Sequence, residues 1–138
     1  MITPKNLVKA NARGLVFFTC LYCAAALIHF THNAEFLEDY PNMPKWITRG
    51  GVYFMWAAEA LIGVVGMVLL WRGFRHIGTL LLMLYAVLGF DGLLHYSLAP
   101  MAAHTFAMNF TIWFEVVAGA LVIAAGAMYL RNTMRPSK

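Results

Sequence analysis

Charge is what this chain has least of. Only 12% of its 138 residues are Asp, Glu, Lys or Arg, and six of those are acidic. That balance excludes an ordinary soluble domain, in which about a quarter of residues are charged. It also argues against nucleic acid as a partner. The formal charge of +4 comes from basic residues scattered in twos and threes at the ends of apolar runs, with no basic stripe. Cysteine is scarce as well: Cys20 and Cys23 form a lone Cys-x-x-Cys pair, with no second pair to relay electrons. No internal repeat, low-complexity tract or composition shift marks a second domain. What fills the chain is apolar side chains, 62% of it.

Those residues gather in four runs, about 15–32, 51–71, 77–98 and 105–130. Each is close to the ~20 residues a helix needs to cross ~30 Å of hydrocarbon. The expected fold is therefore all-α, a single integral membrane domain over residues 1–138 built as a four-helix up-down-up-down bundle. The first run has features of a signal peptide, since Lys5, Lys9 and Arg13 precede an apolar stretch that meets Ala24, Ala25 and Ala26. It is read as a retained span. Basic residues resist translocation, so their count in short loops sets orientation. Eight fall on one side (Lys5, Lys9, Arg13, Arg72, Arg75, Arg131, Arg135 and Lys138) and two on the other, Lys45 and Arg49. Both termini are expected in the cytoplasm, and the long connection 33–50 is expected outside as a cap over the bundle mouth. Turn chemistry at Asp39-Tyr40-Pro41-Asn42 and Met43-Pro44 punctuates that loop, and Phe36, Tyr40 and Trp46 suit the membrane interface.

Ionisable groups inside a bilayer are costly, so each one needs a reason. Glu59, Asp91 and Glu115 lie within three separate spans, and His29, His32, His95 and His104 lie in the outer turns. Counting inward along each helix puts His29 and His95 about 5 to 8 Å deep, Asp91 and Glu59 about 10 to 12 Å, and Glu115 about 16 Å. At about 100° per residue, His104, Met108, Thr111 and Glu115 form one stripe, Asp91 and His95 a second, and Met55 and Glu59 a third. Tyr22, His29 and Asn33 make the fourth. Lipid offers these stripes no partner, so they are expected to meet in one cavity open to the outer face.

Carboxylates and histidines projecting inward from several helices suit a transition metal such as Fe, Cu, Mn or Zn. The candidate ligands are His29, Glu59, Asp91, His95 and Glu115, with His32 and His104 as further candidates. The Glu-x-x-His pair of di-iron bundles is missing. Paired histidines at matched depth, His29 and His95, would also suit haem b. Redox chemistry or metal handling is the function this cluster points to. A metal-free accessory or assembly subunit of a larger membrane complex, a homo-oligomer, and a proton-linked small-ligand-binding protein stay open beside it. Through-transport is disfavoured by an inner half without polar residues and by uninterrupted helices. Cys20 and Cys23 lie about 120° to 180° from His29 around their helix and are read as small buried apolar residues.

The run His29-Phe30-Thr31-His32-Asn33-Ala34-Glu35-Phe36, with Tyr40-Pro41 and Asp91-Gly92-Leu93-Leu94-His95-Tyr96, resembles small bacterial four-helix inner-membrane proteins. In size and topology the chain is similar to DoxX-like membrane proteins. These resemblances imply a bacterial plasma membrane and a four-helix architecture, and they supply no catalytic residue.

Overall fold

The structure is a computed structural model that describes residues 4–134. Arg135 and Lys138, counted above on the basic side, lie outside the described residues. Helix α1 (Pro4–Glu35) leads through a 3-10 turn (Leu37–Asp39) and an irregular loop to α2 (Arg49–Trp71). There follow α3 (Arg75–Leu88), a 3-10 turn (Asp91–Leu94), the short α4 (His95–Leu98), a third 3-10 turn (Met101–Ala103) and α5 (Phe106–Thr133). Four stretches are long and apolar enough to cross a membrane: Val8–Glu35, Arg49–Trp71, Arg75–Leu98 and Phe106–Thr133. No strand occurs among the described residues.

Local sequence sets the helix ends. The side chains of Thr48 and Thr105 accept hydrogen bonds from the N–H groups of Gly51 (3.1 Å) and Met108 (3.3 Å), satisfying amides that have no partner inside the helix. Gly73, at φ 92°, closes α2 in a left-handed conformation. The N–H of Phe74 then reaches Leu69 O and that of Gly73 reaches Leu70 O, a Schellman stop. α1 extends well beyond the apolar run on its N-terminal side because hydropathy sees only the membrane portion of a helix.

α1 packs against α2 and α5, and α3 packs against the same two helices. At Gly78 a Cβ would come within 2.8 Å of Gly66 O and 2.9 Å of Leu70 Cα, so glycine is what lets α2 and α3 touch backbone to backbone. Tyr22, Leu82, Ala86 and Val122 fill the centre between the helices. Outward, the bundle shows a belt of large apolar side chains that includes Phe17, Leu61, Val64, Leu80, Phe110 and Val117. An apolar surface of that extent fits lipid.

One expectation is refined and a second overturned. The third span, Arg75–Leu98, is not α-helical throughout: α3 ends at Leu88, residues 89–90 form a turn, and Asp91–Leu94 are 3-10 helix before α4 begins. Two glycines and an aspartate within Gly89-Phe90-Asp91-Gly92 weaken helix propensity there. The turn keeps its backbone satisfied, since the N–H of Phe90 bonds to Val87 O at 3.1 Å and the Tyr22 hydroxyl donates to Tyr85 O at 3.0 Å. The cysteines are also not buried. Cys20 and Cys23 are free thiols exposed on the outer surface of α1, because a span apolar on every side gives helical phase no contrast to follow.

Candidate functional site

The polar residues assemble at one end of the bundle, from the last turns of α1, the first turns of α5 and the broken segment between α3 and α4. His29 is the centre of the layer. It is buried on α1, and its Nδ1 lies 3.3 Å from the Thr111 hydroxyl on α5. That hydroxyl also lies 3.0 Å from Met108 O and hydrogen-bonds Tyr40. With its proton on Met108 O it accepts from His29, the arrangement in which the imidazole proton is on Nδ1 and Nε2 is an acceptor. Nε2 faces Glu115 Oε2 at 3.8 Å. Glu115 has no solvent exposure, and both its oxygens lack a hydrogen-bond partner. Two acceptors facing one another in a dry interior call for a proton on one of them or a cation between them.

Gly92 stands over this pair. A Cβ added there would lie 3.4 Å from His29 Nε2, 3.6 Å from Ile112 Cγ2 and 3.8 Å from Glu115 Oε2. The glycine thus leaves a methyl-sized space beside the dyad, at the point where the third span loses its helix.

His95 contacts His29 edge to face, with ring centroids 5.7 Å apart, and its Nε2 lies 3.1 Å from the Asn33 amide nitrogen. Nitrogen facing Nε2 makes Asn33 the donor, so neutral His95 carries its proton on Nδ1. The Asn33 amide oxygen is buried and unpartnered. His104 sits in the turn before α5 and donates from Nδ1 to Pro100 O at 3.1 Å, which leaves its buried Nε2 an unpartnered acceptor.

Tyr40 ties the histidines together. The sequence suggested an interfacial role for it, yet it is 3% exposed and inserted into the polar layer. Its hydroxyl lies 3.0 Å from His32 Nδ1, and its ring packs against His95 with centroids 4.7 Å apart and planes tilted by 35°. Burial pushes its hydroxyl up to about 12. The Asn42 amide donates to Leu98 O at 2.9 Å and anchors the same loop to the end of α4. No pattern in the sequence marks Tyr40 over Phe36 or Trp46, because its partners lie on three distant segments. At the loop's two ends Arg49 pairs with Glu35 at 2.7 Å, and the Tyr53 hydroxyl donates to the same carboxylate at 2.7 Å.

The remaining candidates lie at the edges. Glu59 is buried on α2 and makes no hydrogen bond or ion pair among the described residues, though it lies within electrostatic reach of Asp91 and Glu115. Asp91, on the broken segment, lines a side cavity of about 520 Å³ with Asn33 and His95. Phe30, Trp46, Phe54 and Met55 supply apolar walls, and no lysine or arginine is among its lining residues. Among the described residues no three His, Cys, Asp or Glu side chains are arranged to hold a metal ion. His29 and Glu115 face one another at 3.8 Å. The His29 and His95 rings are in direct contact, and each has one nitrogen engaged by a neighbouring side chain.

The arrangement is thus a buried layer rich in hydrogen-bond acceptors, with an apolar side cavity opening onto part of it. Comparison with known proteins finds no matching family, no matching curated protein and no matching solved structure.

Proposed function

We propose that this chain is a four-span bundle of a bacterial plasma membrane, up-down-up-down with both termini cytoplasmic, that binds a small ligand at its outer, polar end. The basic-residue asymmetry supports the orientation, and the resemblance to small bacterial inner-membrane proteins supports the compartment. The observation that carries the binding role is the break at residues 89–94. A stretch of 3-10 backbone inside a helical span marks a functional hinge or a strained sequence. Here the break puts Asp91 and His95 on the wall of a cavity of about 520 Å³, within the range of small-molecule sites, with mostly apolar lining and a few convergent polar groups. The ligand comes from the membrane, because the cavity's rim residues Phe54, Met55, Leu94 and Trp46 are exposed.

The test is recovery of a bound lipophile. Protein extracted into lipid nanodiscs is compared with a Met55→Trp variant that fills the cavity from an exposed position, and co-purifying small molecules are quantified by mass spectrometry. A near-stoichiometric compound lost in the variant supports the reading. Equal recovery from both proteins refutes it.

A transition metal is the second reading, favoured by Glu115. A sealed carboxylate with both oxygens unpartnered, beside a histidine whose other nitrogen is held by a hydrogen bond, has the donor chemistry and outer-shell support of a metal ligand pair. The space at Gly92 would admit a further ligand from outside the protein. Stoichiometric metal in protein purified without chelators, lost in Glu115→Gln, is the result that would favour it.

A further inference from the structure

We infer that the side cavity selects an uncharged lipophile bearing a hydroxyl head, which docks between Asp91 and His95. This inference rests on the ligand-binding reading above and adds the chemical class of the ligand. Three features of the cavity carry it.

Charge comes first. Asp91 contributes a carboxyl group, and no lysine or arginine is among the lining residues to offset it. Fatty acids and acidic lipids would bring a second negative head against Asp91 without a cation, and desolvating that pair is unfavourable.

The second feature is hydrogen-bond polarity. Asp91 offers acceptor oxygens. His95, with Nε2 occupied by the Asn33 amide, offers its remaining nitrogen as an N–H donor. A group that docks on both must donate to one and accept from the other. A hydroxyl is the smallest uncharged group that does both with one atom. A bare hydrocarbon would leave both partners unpaired, which is where the discrimination arises.

The third feature is the body of the site. Phe30, Phe54 and Trp46 bring ring faces and edges, and Met43 and Met55 bring flexible thioethers that adapt to an irregular apolar shape. About 520 Å³ holds a fused-ring or short-chain apolar body together with its head. Phenols and aliphatic alcohols share this chemistry, and the arms of the experiment separate them.

The experiment measures binding of four probes to the full chain in nanodiscs, by quenching of Trp46 against a Trp46→Phe background and against protein-free nanodiscs. The probes are 2-naphthol, 1-decanol, naphthalene and 2-naphthoate. The expected result is that at least one hydroxyl probe binds about tenfold more tightly than naphthalene, the worth of a well-made hydrogen bond. Naphthoate is expected to bind no better than naphthalene. Preference between naphthol and decanol identifies the source as phenolic or aliphatic. Asp91→Leu should remove the preference, so that the hydroxyl probes bind this variant no more tightly than naphthalene binds it, and an unchanged far-UV circular dichroism spectrum shows that the variant is folded. Equal affinity for naphthol, decanol and naphthalene, or a preference for naphthoate, overturns the hydroxyl inference. If Met55→Trp still abolishes binding in that case, the ligand-binding reading stands without it. Binding of no probe above the protein-free level overturns both.

Discussion

The space beside the His29–Glu115 pair can be tested with a single methyl group. Gly92→Ala adds a Cβ whose nearest neighbours would be His29 Nε2 at 3.4 Å, Ile112 Cγ2 at 3.6 Å and Glu115 Oε2 at 3.8 Å, all ordinary contact distances. The backbone at Gly92 does not use a positive φ, so alanine introduces no strain. Gly→Ala at a compatible position lowers the entropy of the unfolded chain and stabilises by about 0.4 to 1 kcal/mol. Gly119→Ala is the matched control, since its Cβ would meet Ala86 O at 2.8 Å on rigid backbone. Overpacking of that kind costs about 1 to 3 kcal/mol. One substitution therefore has opposite signs at two positions on neighbouring segments. Equilibrium unfolding of both variants in mixed detergent micelles, followed by tryptophan fluorescence, reads the difference. A loss of more than about 1 kcal/mol in Gly92→Ala would contradict an unfilled space. Such a loss would mean that the space holds a bound group, a water or a cation, which the methyl displaces and on which the layer depends.

Four further outcomes follow from the same geometry. Tyr22→Phe removes the donor that satisfies Tyr85 O, so it should cost about 0.6 to 2 kcal/mol and speed amide hydrogen exchange at residues 89–92, while α5 stays protected. Thr111→Val removes the acceptor that holds the proton on His29 Nδ1; imidazole nitrogen NMR should change from the Nδ1-H tautomer to a mixture, and an unchanged spectrum would reject the assignment. Tyr40 has its folded value pushed up to about 12 by burial against an unfolded value near 10, so its stabilisation is complete below pH 10 and is lost as pH rises toward 12. Tyr40→Phe should flatten the wild-type fall in stability across that window, and an identical fall in both proteins would remove Tyr40 as its cause. Cys20 and Cys23, exposed on α1, should both react with a lipid-soluble maleimide in intact bilayers, whereas a thiol that stays unlabelled until denaturation would contradict the exposed placement.

Hydropathy made the four apolar segments legible because each is long enough to satisfy its own backbone inside a bilayer. Phase along the helices also found much of the polar layer. Tyr22, His29 and Asn33 on α1, and Met108, Thr111 and Glu115 on α5, all face inward and are buried. Two features were not legible. Hydropathy measures how apolar a segment is and carries no information on whether its backbone bonds run i to i+4, so Gly89-Phe90-Asp91-Gly92 reads as apolar span and not as a break. Tyr40 lies in a loop, where neither period 3.6 nor period 2 applies. Its burial depends on His32, His95 and His104, which come together only once the helices have packed.

The 3-10 segment also sets where Asp91 and His95 point. A continuous third helix would carry Asp91 and His95 on one face, spaced by four, and turn both toward the bundle axis. With 3-10 backbone between them, His95 reaches inward to Asn33 and His29, while Asp91 is half-buried on the wall of the side cavity. Gly92, between the two, is the residue that lies against the His29–Glu115 pair. One short segment therefore borders both the apolar cavity and the sealed dyad. A ligand that pulls on Asp91 or His95 acts on backbone that already lacks a helix's full set of hydrogen bonds, the least costly part of the span to move. Any coupling between occupancy of the cavity and the state of the dyad would run through residues 91–95. The sharpest sign of it would be a change in the His29 imidazole resonances when a ligand fills the cavity, lost when Met55→Trp closes it.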